Sequence, residues 1–269
     1  MAVNDAAAGE IIASAENKLI KEAARLQNGK WRGKLGKFLL EGAAYIHDLP
    51  GGSGSLVECL LVAESRRWEH HELCSVHAHR IVADKLLEQI CDTVTPQGIV
   101  AICRQPCHDA DEIAARGGLY VICEDVRDPG NLGSIIRTAA AAGVEAVFAP
   151  AGCAEVYGPK VVRASSGAVL AVPVIQCHGA DDAVRLLRSK GTRIYATHLA
   201  GGRLPYDTEL RGSCAIIIGN EAHGVSDRLV NLCDARIKLP MPGAVQSLNA
   251  SVAAGIIIYE SLRQRTCLR

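Results

Sequence analysis

A polar segment that follows a predicted strand has the composition of an anion-binding site. Within residues 128–137, Asn131 is suited to cap a helix, and Arg137 lies about two turns further along it. The free backbone N–H groups at a helix start bind anions such as phosphate, and an arginine adds positive charge. A capping asparagine and an unrelated surface arginine would explain the same residues. A dinucleotide site is not predicted, because no G-x-G-x-x-G sequence follows the strand.

A second polar segment combines glycine, amide, carboxylate and imidazole groups at the end of another predicted strand. Gly219 would let a ligand approach the backbone closely, and Asn220 follows it. Glu221 could be an acid or base, a ligand anchor, or only the acid that precedes a helix. His223 could be a general base, although a single histidine in a loop is more often simply solvated.

A third polar segment, residues 239–251, contains Ser247, Asn249 and Ser251 at the start of a predicted helix. Capping that helix would account for one of these side chains but hardly for all three. Serine hydrolase chemistry is not predicted, because Ser247 lacks the G-x-S-x-G setting of a nucleophilic serine.

Apolar runs place the three segments at one edge of a sheet. The predicted strands are 119–124, 144–149, 172–176, 193–197 and 215–219, and the predicted helices among and after them include 132–142 and 247–262. Strands that alternate with helices predict a parallel sheet that is covered on both faces. Such sheets bind ligands at the carboxyl ends of their strands, where all three polar segments lie.

The first half of the chain also alternates short predicted strands and helices, as a small α/β domain does. Apolar residues at helical spacing predict a helix over residues 11–26. A polar stretch that ends in Gly117-Gly118 separates the two halves. We therefore predict domains at residues 1–107 and 119–269, joined by a linker at 108–118.

The charged residues balance overall but are unevenly distributed. The chain has 269 residues, with 29 basic and 29 acidic side chains, and only 4% of its residues are aromatic. A neutral chain with few aromatic residues argues against an indiscriminate nucleic-acid binder. Residues 17–41, however, hold seven basic and two acidic side chains, a local charge of +5. This basic stretch could be a solvated helix surface or an RNA-binding segment.

The eleven cysteines form no C-x-x-C pair. Cys103, Cys107 and His108 come closest to a zinc site, but the sequence offers no fourth ligand, so no metal is predicted. The odd number of cysteines and the lack of a secretory signal pattern predict reduced thiols in a cytoplasmic protein. No apolar run approaches the length of roughly 20 residues that a membrane span requires.

The three polar segments, in this order, resemble the motifs of the SpoU (TrmH) family of S-adenosylmethionine-dependent RNA ribose 2′-O-methyltransferases. The matching motifs are Asn131-x-Gly133-x-x-x-Arg137, Gly219-Asn220-Glu221 and Leu239-Pro240-Met241-x-Gly243-x-x-x-Ser247-Leu248-Asn249. The resemblance covers residues 118–262. The front half is similar to the accessory RNA-substrate-binding domain of that family, through Ile20-Lys21 and residues 38–42. Ala222 departs from the family pattern, which more often has glycine there, and its methyl group could narrow the loop.

The resemblance implies an α/β fold with a small N-terminal RNA-binding domain and a C-terminal α/β-knot (SPOUT, trefoil-knot) methyltransferase domain built on a parallel sheet. Periodicity does not predict the knot, and general topology rules disfavour one. The implied cofactor is S-adenosylmethionine, and the implied assembly is a homodimer. The implied cofactor-binding residues are Thr197, Gly219, Asn220, Leu239 and Leu248. In this context we interpret the basic stretch as RNA-binding, through Lys18, Lys21, Lys30, Arg32, Lys34 and Lys37.

The resemblance also implies a catalytic set in which Arg137 is central. The implied catalytic residues are Arg137, Asn131, Glu221, Ser247 and Asn249. Glu221 would orient Arg137, and Asn249 would position the ribose. Arg137 could be a base or an electrostatic stabiliser. We favour stabilisation of the developing 2′-alkoxide and binding of the adjacent phosphate, because a guanidinium resists deprotonation.

The predicted function is methyl transfer from S-adenosylmethionine to a ribose 2′-hydroxyl of RNA. Ribosomal RNA is favoured over tRNA because the chain carries a front domain. The alternatives are a tRNA ribose methyltransferase and a non-catalytic RNA-binding assembly factor with the same fold. A factor that only binds RNA would not need Asn131, Arg137, Glu221 and Asn249 together.

Overall fold

The chain divides into two compact units. The structure, a computed structural model, describes residues 10–49, 53–199 and 201–266. Unit 1 is Met1–Pro106 with Tyr157–Arg163, and unit 2 is Cys107–Val156 with Ala164–Arg269. The chain therefore leaves unit 1 next to the predicted linker and enters it a second time, a return that no sequence pattern indicates.

Unit 1 contains a four-stranded mixed sheet in the order β1-β4-β2-β3. Its strands are β1 (Lys37–Glu41), β2 (Val57–Ala63), β3 (His79–Val82) and β4 (Ile99–Arg104). Its helices before residue 106 are α1 (Lys18–Arg25), α2 (Gly29–Leu35), α3 (Ala43–His47), α4 (His71–Val76) and α5 (Asp84–Ile90), with short 3-10 helices at Ser53–Leu56 and Glu64–Arg66. Strand β4 runs antiparallel to β1 and β2, whereas β3 runs parallel to β2. Apolar side chains of α1 and α5 share one buried cluster with this sheet.

The predicted first helix is wrong before residue 17. Helix α1 begins only after Asn17, whose side chain caps it by accepting the N–H of Leu19 at 2.9 Å. Upstream of the cap, Ile12 pairs with Val82 in an isolated parallel bridge. Apolar spacing alone could not distinguish these two outcomes, because an edge pairing also buries isoleucine side chains.

Unit 2 is built on a six-stranded sheet in the order β10-β8-β9-β5-β6-β7, in which every pairing is parallel. The strands are β5 (Leu119–Cys123), β6 (Ala146–Pro150), β7 (Val174–Cys177), β8 (Arg193–Thr197), β9 (Cys214–Ile218) and β10 (Ala235–Ile237). The helices beyond residue 106 are α6 (Ala110–Ala115), α7 (Pro129–Ala141), α8 (Pro159–Ala164), α9 (Ala180–Ser189), α10 (Asp227–Val230) and α11 (Ala250–Thr266), with 3-10 helices at Ala168–Leu170 and Pro205–Asp207. The prediction of a parallel sheet is confirmed.

Helices bury the unit 2 sheet on both faces. Every residue of β5, β6 and β9 is buried, which is why these strands are continuous apolar runs in the sequence. One cluster joins α6, α9 and α10 to the sheet, whereas α7 packs against β6 and α11. Because all six strands run in one direction, the loops that leave them meet at a single edge.

Candidate active site

The carboxyl ends of β8, β9 and β10, together with helix α11, surround a cavity of about 470 Å³. Small-molecule sites commonly have volumes of roughly 300–1,000 Å³, so the cavity can hold a ligand of nucleoside size. Seven residues that the sequence predicted for the site line this cavity, namely Thr197, Gly219, Asn220, Glu221, Leu239, Ser247 and Leu248.

The start of helix α7 differs from the prediction and leaves Asn131 free for the site. Asp128, not Asn131, is the N-cap, and its Oδ1 accepts the N–H of Asn131 at 2.8 Å. Pro129 occupies the first helical position, where its missing N–H costs nothing. Asn131 is buried in the first turn, and its side chain points away from the cap to other partners.

A chain of side-chain hydrogen bonds joins the three polar segments. Asn249 Nδ2 donates to Asn131 Oδ1 at 2.8 Å, and Asn131 Nδ2 donates to Glu221 Oε1 at 2.6 Å. These contacts link positions 90 and 118 residues apart in sequence. The Asn131 amide therefore bridges Asn249 and Glu221, and so connects the third polar segment to the second.

The direction of this chain is set at the start of helix α11. Asn249 Oδ1 caps the helix by accepting the N–H of Ser251 at 2.9 Å, the Ser251 hydroxyl at 2.7 Å and the N–H of Val252 at 3.3 Å. With its oxygen engaged there, Asn249 can only donate towards Asn131, which in turn can only donate to Glu221. Capping therefore accounts for Ser251 and for the side-chain oxygen of Asn249. The side-chain nitrogen of Asn249 is directed to Asn131 instead.

The loop after β9 is tightly closed. A Cβ on Gly219 would come within 2.1 Å of the Gly224 carbonyl carbon, so only glycine fits. Asn220 closes the loop through its Oδ1, which accepts the N–H of Ala222 at 2.8 Å. Its Nδ2 donates to the Asp125 carbonyl oxygen at 2.9 Å. Asn220 therefore lines the cavity while its amide group holds the loop in place.

Strand β5 fixes the far end of the same loop through a residue that the sequence analysis missed. The Glu124 carboxylate accepts the N–H of Ser226 at 2.8 Å and its hydroxyl at 2.6 Å. The next residue, Asp125, has a left-handed backbone with φ of 56°, the conformation in which its carbonyl oxygen accepts the Asn220 amide. The only sequence feature that points to Glu124 is its position as an acidic residue directly after an apolar strand.

Other predicted residues contribute shape more than bonding. The Thr197 hydroxyl donates to the Ile217 carbonyl at 3.0 Å, so it ties β8 to β9 beside the cavity. Ser247 and Leu248 are exposed at the cavity wall. His223 also lines the wall but is exposed, and its backbone N–H lies 3.4 Å from Asn220 Oδ1.

Arg137 lies apart from the cavity. It is exposed on α7 and is not among the residues that line the cavity. The hydrogen bond that the structure describes for the Glu221 side chain joins it to Asn131, and the expectation that Glu221 orients Arg137 stays a prediction. Arg137 is six positions beyond Asn131 on the helix, a rotation of about 240°, so the two side chains point to different sides.

Two of the predicted RNA-binding residues are structural. Arg32 is 4% exposed, and its Nη1 donates to the Leu26 carbonyl at 2.7 Å. Lys37 is held by Glu22 at 2.7 Å and Glu58 at 2.6 Å. Neither cation is available to RNA at the surface. The other four predicted residues, Lys18, Lys21, Lys30 and Lys34, are exposed.

Burial disfavours the thiolate form of several of the described cysteines. Burial, together with the nearby Glu58, raises the pKa of Cys103 to about 12, and burial raises that of Cys177 to about 11. Within the described ranges, no group of three or more His, Cys, Asp and Glu side chains could hold a metal ion. A search of the same residues for a helix able to cross a membrane finds none that is both long and apolar enough.

Two family patterns together span both halves of the chain. Residues 118–259 match the SpoU rRNA Methylase family, and residues 17–101 match the MRM3-like substrate binding domain. The chain belongs to the SpoU family of methyltransferases. The predicted fold class is confirmed: a small N-terminal α/β RNA-binding domain is followed in the chain by an α/β-knot methyltransferase domain. The predicted enzyme class and the predicted cofactor, S-adenosylmethionine, are also confirmed.

Individual relatives extend over nearly the whole chain. The 23S rRNA (guanosine(2553)-2′-O)-methyltransferase RlmP of Bacillus subtilis is 32% identical over 92% of this chain and 97% of its own length. The 23S rRNA (uridine(2479)-2′-O)-methyltransferase of Streptomyces viridochromogenes is 34% identical over 90% of this chain and 88% of its own.

Solved structures of relatives have the same fold. The AdoMet-bound rRNA methyltransferase of Sinorhizobium meliloti has a TM-score of 0.83 at 28% identity and covers 96% of this chain and 98% of its own. AviRb of Streptomyces viridochromogenes, in complex with AdoMet, has a TM-score of 0.80 at 31% identity and covers 94% of this chain and 100% of its own.

The residues around the cavity fit S-adenosylmethionine. Ile218, Leu239 and Leu248 provide an apolar wall that suits an adenine ring. Because Gly219 has no side chain, a ligand can lie directly against the backbone there. The Glu221 carboxylate complements a ligand that carries positive charge.

Proposed function

We propose that this protein methylates a ribose 2′-hydroxyl of ribosomal RNA in the cytoplasm. The observation that supports this most directly is the hydrogen-bonded set of Asn249, Asn131 and Glu221 beside a cavity of cofactor size. Full-length relatives named as 23S rRNA 2′-O-methyltransferases favour ribosomal RNA over tRNA as the substrate.

The proposed roles of the residues follow from their positions. When bound, S-adenosylmethionine supplies an electrophilic methyl group. We propose that Thr197, Gly219, Asn220, Leu239 and Leu248 hold this cofactor, since all five line the cavity. The Asn131 amide orients the Glu221 carboxylate at the cavity wall, through the hydrogen bond from its Nδ2 to Glu221 Oε1 at 2.6 Å.

The remaining predicted catalytic residues act on the RNA. We propose that Asn249 and Ser247 position the ribose at the cavity wall. Arg137, exposed and free of salt bridges in the described part of the chain, stabilises negative charge on the 2′-oxygen and its neighbouring phosphate. It acts as a cation and not as a base, because a guanidinium keeps its proton.

We propose that residues 1–107 form the RNA-binding domain, 108–118 the linker and 119–269 the methyltransferase domain. The division of the compact units after Pro106 supports the first boundary. We also propose a homodimer. Exposed apolar side chains on α11, those of Val252, Ile256 and Tyr259, are half exposed and form a face that a second copy could cover.

Two measurements test the proposed function. Isothermal titration with S-adenosylmethionine should show binding, and mapping of 2′-O-methyl positions in total RNA should show a site in ribosomal RNA that disappears without the protein. Absence of cofactor binding would contradict the enzymatic role and favour an assembly factor, and a lost site in tRNA would contradict the substrate.

The Arg137→Ala variant tests the catalytic assignment. We expect methyl transfer to fall by about 10²- to 10³-fold, as when a group that stabilises developing negative charge is removed. Cofactor affinity should be unchanged, because Arg137 does not line the cavity. Single-turnover transfer and titration report the two quantities, and near-normal turnover would show that the assigned role is wrong.

A further inference from the structure

The helices α1 and α2 of unit 1 present a continuous set of exposed cations. This set, called here the α1–α2 surface, consists of Lys18, Lys21, Arg25, Lys30 and Lys34. Lys21 pairs with Glu16, and in the described residues the other four form no salt bridge. Their charge is therefore available to a partner.

Helical spacing explains why these cations share one surface. Lys18, Lys21 and Arg25 recur at intervals of three and four residues, so they lie along one side of α1. Ile20 and Ala23 lie on the opposite side and are buried. On α2, Lys30 and Lys34 are likewise four residues apart.

Trp31 joins the cations of the two helices. The Arg25 guanidinium carbon lies 4.8 Å from the centroid of its ring, and Lys34 Nζ lies 5.0 Å from it. An aromatic ring attracts cations to its face, so Trp31 holds together two like charges that would otherwise separate. With cations already over the ring, Trp31 is poorly placed to stack on a nucleic-acid base.

We propose that the α1–α2 surface binds the phosphate backbone of the RNA substrate, with Trp31 as a positioning residue that fixes Arg25 and Lys34. The proposal rests on the proposed function for the identity of the partner. Phosphate contacts suit this surface because they need fixed positive charge and no base-specific groups. Because the whole chain is neutral, the charge of +5 over residues 17–41 is balanced by a net negative charge elsewhere, so this stretch is a local region of positive charge.

The same unit contains a matched comparison site. Arg67 lies 4.8 Å from the ring centroid of Trp68, the same type of contact. Glu64 and Glu69 are close to it in sequence, and Glu69 pairs with Arg66 at 2.9 Å. This site has an exposed tryptophan but no excess of positive charge.

The test measures binding of full-length protein to large-subunit ribosomal RNA prepared from cells that lack it, over a range of salt concentrations. For Arg25→Glu with Lys34→Glu we expect at least a tenfold loss of affinity at 0.1 M salt. The slope of log affinity against log salt should become shallower by about 1.5, since each lost phosphate contact removes about 0.7–0.9. Lys18→Glu with Lys30→Glu, two side chains without described partners, should behave similarly.

Substitutions at Trp31 separate positioning from stacking. Trp31→Phe should bind RNA within twofold of the wild type, whereas Trp31→Leu should lose affinity about threefold and also part of the salt dependence. If Trp31→Leu loses affinity with an unchanged salt slope, the ring stacks on a base and the positioning role is wrong. Melting temperatures identify any variant that is not folded.

The control variant Arg67→Glu should change RNA affinity less than twofold. An equal loss in this control, or a salt slope unchanged in both double variants, would overturn the assignment of the surface. Methyl transfer is measured separately in the double variants, where KM for RNA should rise and cofactor affinity should not change. Wild-type protein that binds RNA through this surface but transfers no methyl group would support the surface and contradict the proposed function.

Discussion

At the scale of single residues, the hydrogen-bond chain from Asn249 through Asn131 to Glu221 has one direction. Three donors hold the Asn249 oxygen, so its amide nitrogen faces Asn131 and the Asn131 nitrogen faces Glu221. Each amide thus has a single acceptable orientation. Glu221 Oε1 therefore receives a fixed donor at the cavity wall.

Asn131→Asp is the sharpest test of this chain. An ionised aspartate cannot donate to Glu221, whose Oε1 lies 2.6 Å from the present Asn131 nitrogen. Two carboxyl groups at this distance share a proton, which raises the pKa of one of them. We expect transfer at pH 8 to fall about 10- to 100-fold, equivalent to about 1.4–2.8 kcal/mol.

Lowering the pH from 8 to 6 should restore part of the activity of Asn131→Asp. Protonation of the shared site below its raised pKa gives back a donor. A pH profile of single-turnover transfer measures this effect. Asn131→Ala, which has no group to protonate, is the control, and equal profiles for the two variants would show that the chain does not govern activity.

At the scale of elements, the position of the loop after β9 depends on the two residues that directly follow strand β5. Glu124 accepts two hydrogen bonds from Ser226, and the Asp125 carbonyl accepts one from Asn220. These contacts fix residues 219–226 at both ends, on the wall that includes Gly219 and Glu221. Residues next to β5 thus position a loop that follows a different strand, β9.

Glu124→Ala should weaken S-adenosylmethionine binding about tenfold, because it removes the two hydrogen bonds that hold Ser226. Hydrogen bonds to charged groups are worth about 1.5–3 kcal/mol each, and water that replaces the carboxylate compensates part of this loss. Glu124→Gln can still accept the Ser226 N–H and donate to its hydroxyl, so it should bind the cofactor within about threefold of the wild type. Titration calorimetry measures both. A loss of turnover at saturating cofactor with unchanged affinity would contradict this positioning role.

Sequence patterns predicted elements better than the contacts between them. The continuous apolar runs of β5, β6 and β9 were recognisable because both faces of the sheet are covered. The three-residue strand β10 is too short to produce a period. Asn131 was assigned to the cap because asparagine and aspartate are both good caps, and only the structure shows Asp128 in that role.

At the scale of the whole molecule, the order of chain segments carries information that local patterns lack. Threading of a knot leaves no trace in periodicity, so only the family resemblance predicted it. Likewise, no composition change marks the return of Tyr157–Arg163 to unit 1. The burial of Arg32 and the pairing of Lys37 also depend on tertiary neighbours and not on the local charge of the segment.

The proposed homodimer can be tested with Ile256→Glu. The side chain is 44% exposed on α11, so the substitution should change the stability of an isolated chain by only about 0.5 kcal/mol. Burying a carboxylate against an apolar partner surface is costly, so we expect the variant to sediment as a monomer and the wild type as a dimer. An exposed substitution elsewhere, Lys85→Glu, is the control. A monomeric wild type, or a dimeric Ile256→Glu, would contradict the assembly.

The two walls of the cavity differ in a way that bears on product exchange. The wall at residues 219–226 is closed on itself, since Asn220 and Gly224 pair across it and Gly219 is packed against Gly224. The facing wall, residues 242–248, is exposed throughout. Opening the first wall would break several hydrogen bonds, whereas displacing residues 242–248 exposes little that was buried and leaves the hydrogen bonds of Asn249 in place. We therefore expect the spent cofactor to depart past residues 242–248, and the rate of that departure to set how soon the next turnover can begin.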